Sequence, residues 1–505
     1  MRKTIASLLI LLFLTSLVAF PSVTVKAESK TIIVPNNYPT IASAIGNAMN
    51  GDKILVKSGT YNESAINTDK SLSIIGDGYQ STIINLKSSS HEIVIDVLGH
   101  TATFCDPAMT INANDFALSG LTLKSNGGDI SLNGNGMQVI KNKIETTCGM
   151  SGSNLYVAGN IFSKIGFSAN FSRISENFIT SGLGLSGQYS IFSSNSITNE
   201  APSIETYNCL ITGNTIYNAS FAIFPLDGRS NIFSHNAIDH LAIGLWVRGS
   251  NNTVMLNQIT HCGVALQPSP NNTYYSNNIA NNLWGVDTVG SLLNPDGNSV
   301  TFFNNNMKDN TYQVTTLFAS KQEFFDNGKE GNYWSDYRGT DLNGDGVVDT
   351  PYVIDSNRLD RYPLIAPFNI SKVPDLIPEW ALAPNVRLIN PSNGTYSSRN
   401  ITLDFAIDKQ VSWIGYSLDG LTNTTITGNI TLTDLGSGAH NISVYANDWY
   451  QNTCASQTIS FSISELESFS SSIIFAGSAV AVIIGVVVVT GLLVYFKKHK
   501  RVKIL

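Results

Sequence analysis

An all-β solenoid, a parallel β-helix, is the fold class this sequence predicts, and three observations predict it. The first is an Asn-x-apolar triplet that recurs through the middle of the chain. It reads Asn142-x-Ile144, Asn160-x-Phe162, Asn177-x-Ile179, Asn195-x-Ile197, Asn214-x-Ile216, Asn236-x-Ile238, Asn257-x-Ile259, Asn277-x-Ile279 and Asn305-x-Met307, with most gaps between 17 and 22 residues. The second is the character of the segments, short, β-branched and broken by Gly, Asn and Ser, which favours strands over helices. The third is physical: so short a repeat cannot bury its own apolar face, so its copies must stack. Each repeat is therefore one coil.

The elements follow in chain order. Arg2 and Lys3, an apolar run from Ile5 to Phe20 and small residues up to Ala27 form a secretory signal peptide over 1–27. Residues 28–125 hold an N-terminal cap helix, near Tyr38–Met49, and the first coils. Its helix covers the first coil, whose bare strand edge would otherwise recruit other chains. Strands follow at Lys53–Val56 and around Leu72–Ile75. Residues 126–330 carry the repeats and 331–368 a C-terminal cap. Pro374, Pro378 and Pro384 mark a linker over 369–384. Residues 385–465 read as short alternating strands, among them Ile401–Phe405, Trp413–Tyr416 and Ile442–Tyr445, as in an immunoglobulin-like sandwich. The apolar run 473–496 is long enough for a transmembrane helix. The basic tail 497–505 then places the ectodomain outside the cell membrane and the tail in the cytoplasm.

Composition narrows the partners. A net charge of −7 over 505 residues, with no basic stripe, argues against nucleic acid. Eleven Asn-x-Ser/Thr sequons, densest between Asn369 and Asn441, suit a surface glycoprotein. The five cysteines form no CxxC and are odd in number, so buried single thiols are expected, with one long-range bridge still open.

The strings GDKILVKSGTYNE and SLSIIGDG, the Asn-x-Ile repeats and the stretch GNYWSDYRGTDLNGDGVVDTPYVI resemble the NosD-type family of right-handed β-helices, a pectate-lyase-like fold of archaeal surface proteins. The resemblance spans roughly residues 30–368. It implies a right-handed solenoid and brings a copper association; it leaves function open, because this fold hosts lyases, hydrolases, epimerases, adhesins and binding proteins.

Aligning the coils on their asparagines gives an inward aliphatic stack at position nine: Ile204, Ile223, Leu245, Leu266 and Val286. Alternation then turns positions eight, ten and twelve outward. Position eight is small (Ser203, Ala222, Gly244, Ala265, Gly285), position ten gives Glu205, Phe224, Trp246, Gln267 and Asp287, and position twelve includes Tyr207 and Arg248. This reads as a shallow trough whose ligand-binding residues are Glu205, Tyr207, Phe224, Trp246, Arg248 and Asp287. Aromatic faces stack on sugar rings, and acids and Arg bind hydroxyls or uronate carboxylates. Catalysis finds weaker support. Glu205 and Asp287 lie four coils apart, about 19 Å at ~4.8 Å per coil, too far for the carboxylate pair of a glycosidase. Arg248 and Asp227 are the residues to consider for a lyase, hydrolase or epimerase.

Position four gives Asn199, Asn218, His240, His261, Asn281 and Asp309, a turn position suited to left-handed backbone. His240 and His261 fall on adjacent coils, about 5 Å apart, close enough to share an ion. Copper(I) prefers Cys and Met, so copper is disfavoured there. The sharper metal signal is Asp341-x-Asn343-x-Asp345-Gly346-Val347-x-Asp349, which matches the calcium-loop spacing and lacks only the final Glu, replaced by Tyr352. Asp336 or Asp355 is expected to supply the missing ligand. The expectation is a membrane-anchored surface β-helix, clasped by structural calcium, that binds polysaccharide or envelope glycan.

Overall fold

The computed structural model describes residues 29–88, 90–97, 100–200, 202–288, 300–315, 323–464, 487–495 and 497. The expected signal peptide and residues 473–486 of the expected membrane span lie outside them. The chain divides into two units, with the boundary after Leu382.

The first unit is a parallel β-solenoid. One wall is a thirteen-stranded sheet in which Thr31–Val34 pairs with Lys53–Val56, that strand with Ser73–Gly76, and so on to Thr301–Phe303. Most of the other strands form a 21-stranded set, with a two-stranded sheet at Ser90–Val97 and His100–Cys105 and a three-stranded sheet after the coils. Inside lies one continuous apolar column that includes Ile144, Phe162, Ile179, Ile197, Ile216, Ile238, Ile259, Ile279 and Met307, all at most 1% exposed. The triplet's apolar member points inward on every coil.

The asparagines explain the spacing. Asn142, Asn160, Asn177, Asn195, Asn214, Asn236, Asn257, Asn277 and Asn305 are all 0–1% exposed. Each accepts at Oδ1 from the preceding rung, as Asn236 Oδ1 does from Asn214 N at 2.9 Å and Asn214 Nδ2 at 3.0 Å. Its Nδ2 in turn caps carbonyls of earlier strands, Ile211 and Ser234 for Asn236. The column continues to Asn332 and ends on Asp360, whose Oδ2 accepts from Asn332 N at 2.6 Å. A second column joins Ser172, Ser190, Cys209, Asn231, Asn252 and Asn272 through the same kind of bond.

The cap helix is shorter than expected, Ile41–Asn47, with Thr40 and Ser43 forming a capping box. Glu63 accepts from the N–H groups of Ile41 and Ala42. All five cysteines are free: Cys148, Cys209 and Cys262 are buried, Cys105 is exposed and Cys454 lies between.

The second unit holds two antiparallel-rich sheets, of three and six strands, around a core of Val386, Ile401, Leu403, Leu432, Ile442, Val444, Phe461 and Ile463. The strands expected at 401, 413 and 442 are present as Ile401–Ile407, Trp413–Leu418 and Gly438–Asn447.

The expected transmembrane helix needs correction. Among the described residues no helix is long and apolar enough to cross a membrane. The single-pass membrane assignment, and the membrane as a partner, therefore fall.

Candidate functional site

A polar row runs along one face of the solenoid, built by strict register. Asn112 pairs with Asn133, then Ser151, Ser168, Ser186, Glu205 and Asp227 on successive strands. Arg248 comes next and grips Asp227 with two bonds, Nε to Oδ1 at 2.8 Å and a second to Oδ2. Alongside runs a small-residue row, Ser131, Gly149, Gly166, Gly184 and Ser203. Together they line an open groove of about 430 Å³ that reaches Glu205.

A second cleft, of about 510 Å³, begins at Tyr207, two residues along the strand from Glu205, and is lined also by Arg229, Trp246, Arg248, Ser269 and Asn271 among others. Its floor needs glycine: a Cβ on Gly228 would lie 1.8 Å from the Thr206 carbonyl oxygen, and one on Gly249 1.5 Å from that of Gly228. Arg248 lies 4.8 Å from the Trp246 ring centre and Arg229 6.0 Å from that of Tyr207. The bonds from Asp227 raise the Arg248 pKa further, aided by the nearby charge of Glu205.

Of the expected trough residues, Tyr207, Trp246 and Arg248 line this cleft together, Glu205 lines the groove beside it, and Asp227 is held by Arg248. Phe224 does not share Glu205's rung, because Glu205 pairs with Asp227. The coil from Asn214 to Asn236 carries extra residues, absorbed as register shifts between Ala219 and Pro225, and counting from the asparagine misses them. Asp287 lies apart from the cleft and accepts from Thr315 Oγ1 at 2.8 Å. Position eight is not an open strip either: Ala265 is fully buried, and a Cβ on Gly285 would lie 2.6 Å from Met307 Cε. The Asp227 ion pair favours the protonated guanidinium of Arg248. The acid pair that spacing denied is present: Glu205 and Asp227 sit on neighbouring strands, ~4.8 Å apart in backbone.

A second cluster lies at the turn. His240 and His261 stack at 4.9 Å between ring centres and 26° between planes. Asp239, which sequence reading passed over, joins them: its Oδ2 meets His240 Nδ1 at 2.6 Å and its Oδ1 meets His261 Nδ1 at 2.7 Å. Thr260 Oγ1 adds a third bond at 2.7 Å. Partial burial raises the Asp239 pKa, and the bonds from His261, Thr260 and His240 outweigh it, leaving the carboxyl below its ordinary value. Among the described residues this is the one group of three or more His, Cys, Asp or Glu side chains whose donor atoms lie within 4.8 Å of one another.

The loop 341–349 winds on its own acids. Asp341 accepts from the N–H groups of Gly344, Asp345 and Gly346. Asp345 accepts from Val347 N and Asn343 Nδ2, and Asp349 from Leu342 N. Gly344 and Gly346 take the left-handed φ of +75° and +89° that such a turn requires. Its three carboxylates do not all lie within 4.8 Å of one another, so an ion would have to draw them together. Of the two expected auxiliary ligands, Asp355 is committed to Arg358 and Asp336 accepts from the Tyr352 hydroxyl.

No family model and no curated protein matches this chain. Among solved structures it is similar to the A-module of the Azotobacter vinelandii mannuronan C-5 epimerase AlgE6, at 13% identity over 56% of this chain and 91% of that one, with a TM-score of 0.41. It is also similar to the alginate lyase AlyF-OU02 in complex with G6 (12%, 68% and 92%, 0.39). A third is the GH87 α-1,3-glucanase of Streptomyces thermodiastaticus (14%, 61% and 68%, 0.40). Likenesses at this level carry no argument about chemistry.

Proposed function

We propose that the solenoid binds an extended polysaccharide laid along its axis. The observation that carries this reading is the polar row from Asn133 to Arg248, which ends in a cleft holding Tyr207 and Trp246. Hydroxyl and amide side chains repeat at the coil rise, ~4.8 Å, and so offer successive sugar rings equivalent partners. Tyr207 and Trp246 supply stacking faces, and Arg229 and Arg248 suit a polymer that carries carboxylates. The test is glycan retention by the full chain. Trp246→Ala should weaken it about tenfold, the equivalent of ~1.4 kcal/mol, and unchanged retention would remove the reading.

A second reading has one observation in its favour. Glu205 and Asp227 stand in register on neighbouring strands, and retaining glycoside hydrolysis uses two carboxyls ~5 Å apart as nucleophile and acid. Asp227, whose orientation Arg248 fixes, takes the nucleophile's part and Glu205 the acid's. Release of new reducing ends that Glu205→Gln abolishes would support hydrolysis; retention without product leaves a binding module. The 341–349 loop is proposed to hold calcium through Asp341, Asn343, Asp345, Asp349 and the Val347 carbonyl, as a clasp near the end of the coils rather than a part of the cleft.

A further inference from the structure

We propose that His240 and His261, oriented by Asp239, bind one divalent transition-metal ion of the zinc and copper(II) class. An ionised carboxylate only accepts, so the ring nitrogens facing Asp239, Nδ1 of both histidines, carry the hydrogens. In the neutral rings the lone pairs then sit on both Nε2 atoms. This is the arrangement that presents imidazole to a metal: the carboxylate fixes tautomer and ring orientation from behind and raises ligand basicity. One carboxylate serves two rings because the coils bring them into a stack.

The site is reachable. The His240 and His261 side chains are 57% and 51% exposed, and Asp239 is 38% exposed. Cys262 takes no part, because its thiol is buried on the Thr260 carbonyl. Two imidazoles select borderline divalent ions over calcium or magnesium, and the two protein ligands leave coordination positions for water or an external donor.

The left-handed turn itself does not require histidine. The same position holds Asn199, Asn218 and Asn281 at φ of +67°, +60° and +58°, close to the +58° of His240 and +49° of His261. Asparagine is therefore a substitution the coil already tolerates, which makes the test clean.

The experiment is calorimetric titration of the untagged full chain with zinc alone, and with copper(II) alone, in a buffer holding calcium constant. One ion per chain is expected, with nitrogen hyperfine structure in the copper(II) resonance spectrum. His240→Asn or His261→Asn should weaken binding at least tenfold, and Asp239→Asn about 10- to 100-fold. Asp345→Ala, which alters the calcium-type loop, should leave it unchanged. Absence of saturable one-to-one uptake, or equal uptake by the His240→Asn/His261→Asn double variant, would overturn the proposal.

Discussion

Two columns of side chains climb through the same turns four residues apart, and they obey different rules. Asn236 and Asn257 are sealed at 1% and 0% exposure, and each forms bonds to the coils on both sides. His240 and His261 stand in solvent and answer to a single neighbour, Asp239. Where burial makes an unmet hydrogen bond costly, the residue type cannot vary and the repeat is strict. Where water can satisfy the backbone, the fold asks only for a left-handed turn, and the side chain is free to do chemistry.

The largest expected effect breaks the sealed column. Asn236→Ala removes the acceptor of the buried Asn214 N–H, one bond to Asn214 Nδ2 and the Nδ2 bonds to the carbonyls of Ile211 and Ser234, and should cost more than about 3 kcal/mol by denaturant titration. A loss no greater than that of His240→Asn would erase the contrast between the columns.

The last rung sharpens it, because Asp360 is a carboxylate among amides. Burial pushes its pKa up to about 6, opposed by donors from Trp334, Asn332 and Tyr362. A raised acid pKa means that the folded state holds a proton the unfolded state has lost between pH ~4 and ~6. Stability from this rung is therefore full below pH ~4 and falls as pH rises to ~6, by up to about 3 kcal/mol, and is flat above. The difference in unfolding free energy between the protein and Asp360→Asn should track that window; a pH-independent difference would refute it.

Calcium at a hundred times its dissociation constant should add about 2.7 kcal/mol to the solenoid. Chelator should therefore lower the melting temperature, and Asp345→Ala should erase the difference. A chelator-insensitive melt leaves only a self-contained turn. Smallest of all, His240→Asn and His261→Asn should change unfolding free energy by no more than about 0.5 kcal/mol, which separates their role from that of the sealed asparagines.

This division also decides what the sequence disclosed. The coils, their inward residues and the closeness of His240 to His261 were legible because they follow the sealed column's count. The pairing of Glu205 with Asp227 was not, since a bulge on the outer face adds residues without disturbing the column. Asp239 escaped notice because it precedes the turn residue it serves. The sequons at Asn251 and Asn271 now have a structural source: Asn252 and Asn272 are rungs of the second column, and Thr253 and Thr273 begin strands. The membrane helix was inferred from apolar length alone, and no described helix has that length.

The asparagine column has a direction. Between rungs, each asparagine gives its backbone N–H and an Nδ2 hydrogen forward to the coil that comes later in the chain, and accepts at Oδ1 from the coil before. A solenoid emerging from synthesis thus always ends on two open donors, which the next coil must fill. That debt passes from Asn142 to Asn332 and is discharged only at Asp360, which has four lone-pair sites and no proton to hand on. Truncation is accordingly unequal at the two ends: loss of early coils leaves idle carbonyls, which proteins tolerate, whereas loss of the last turn leaves buried N–H groups, which they rarely do.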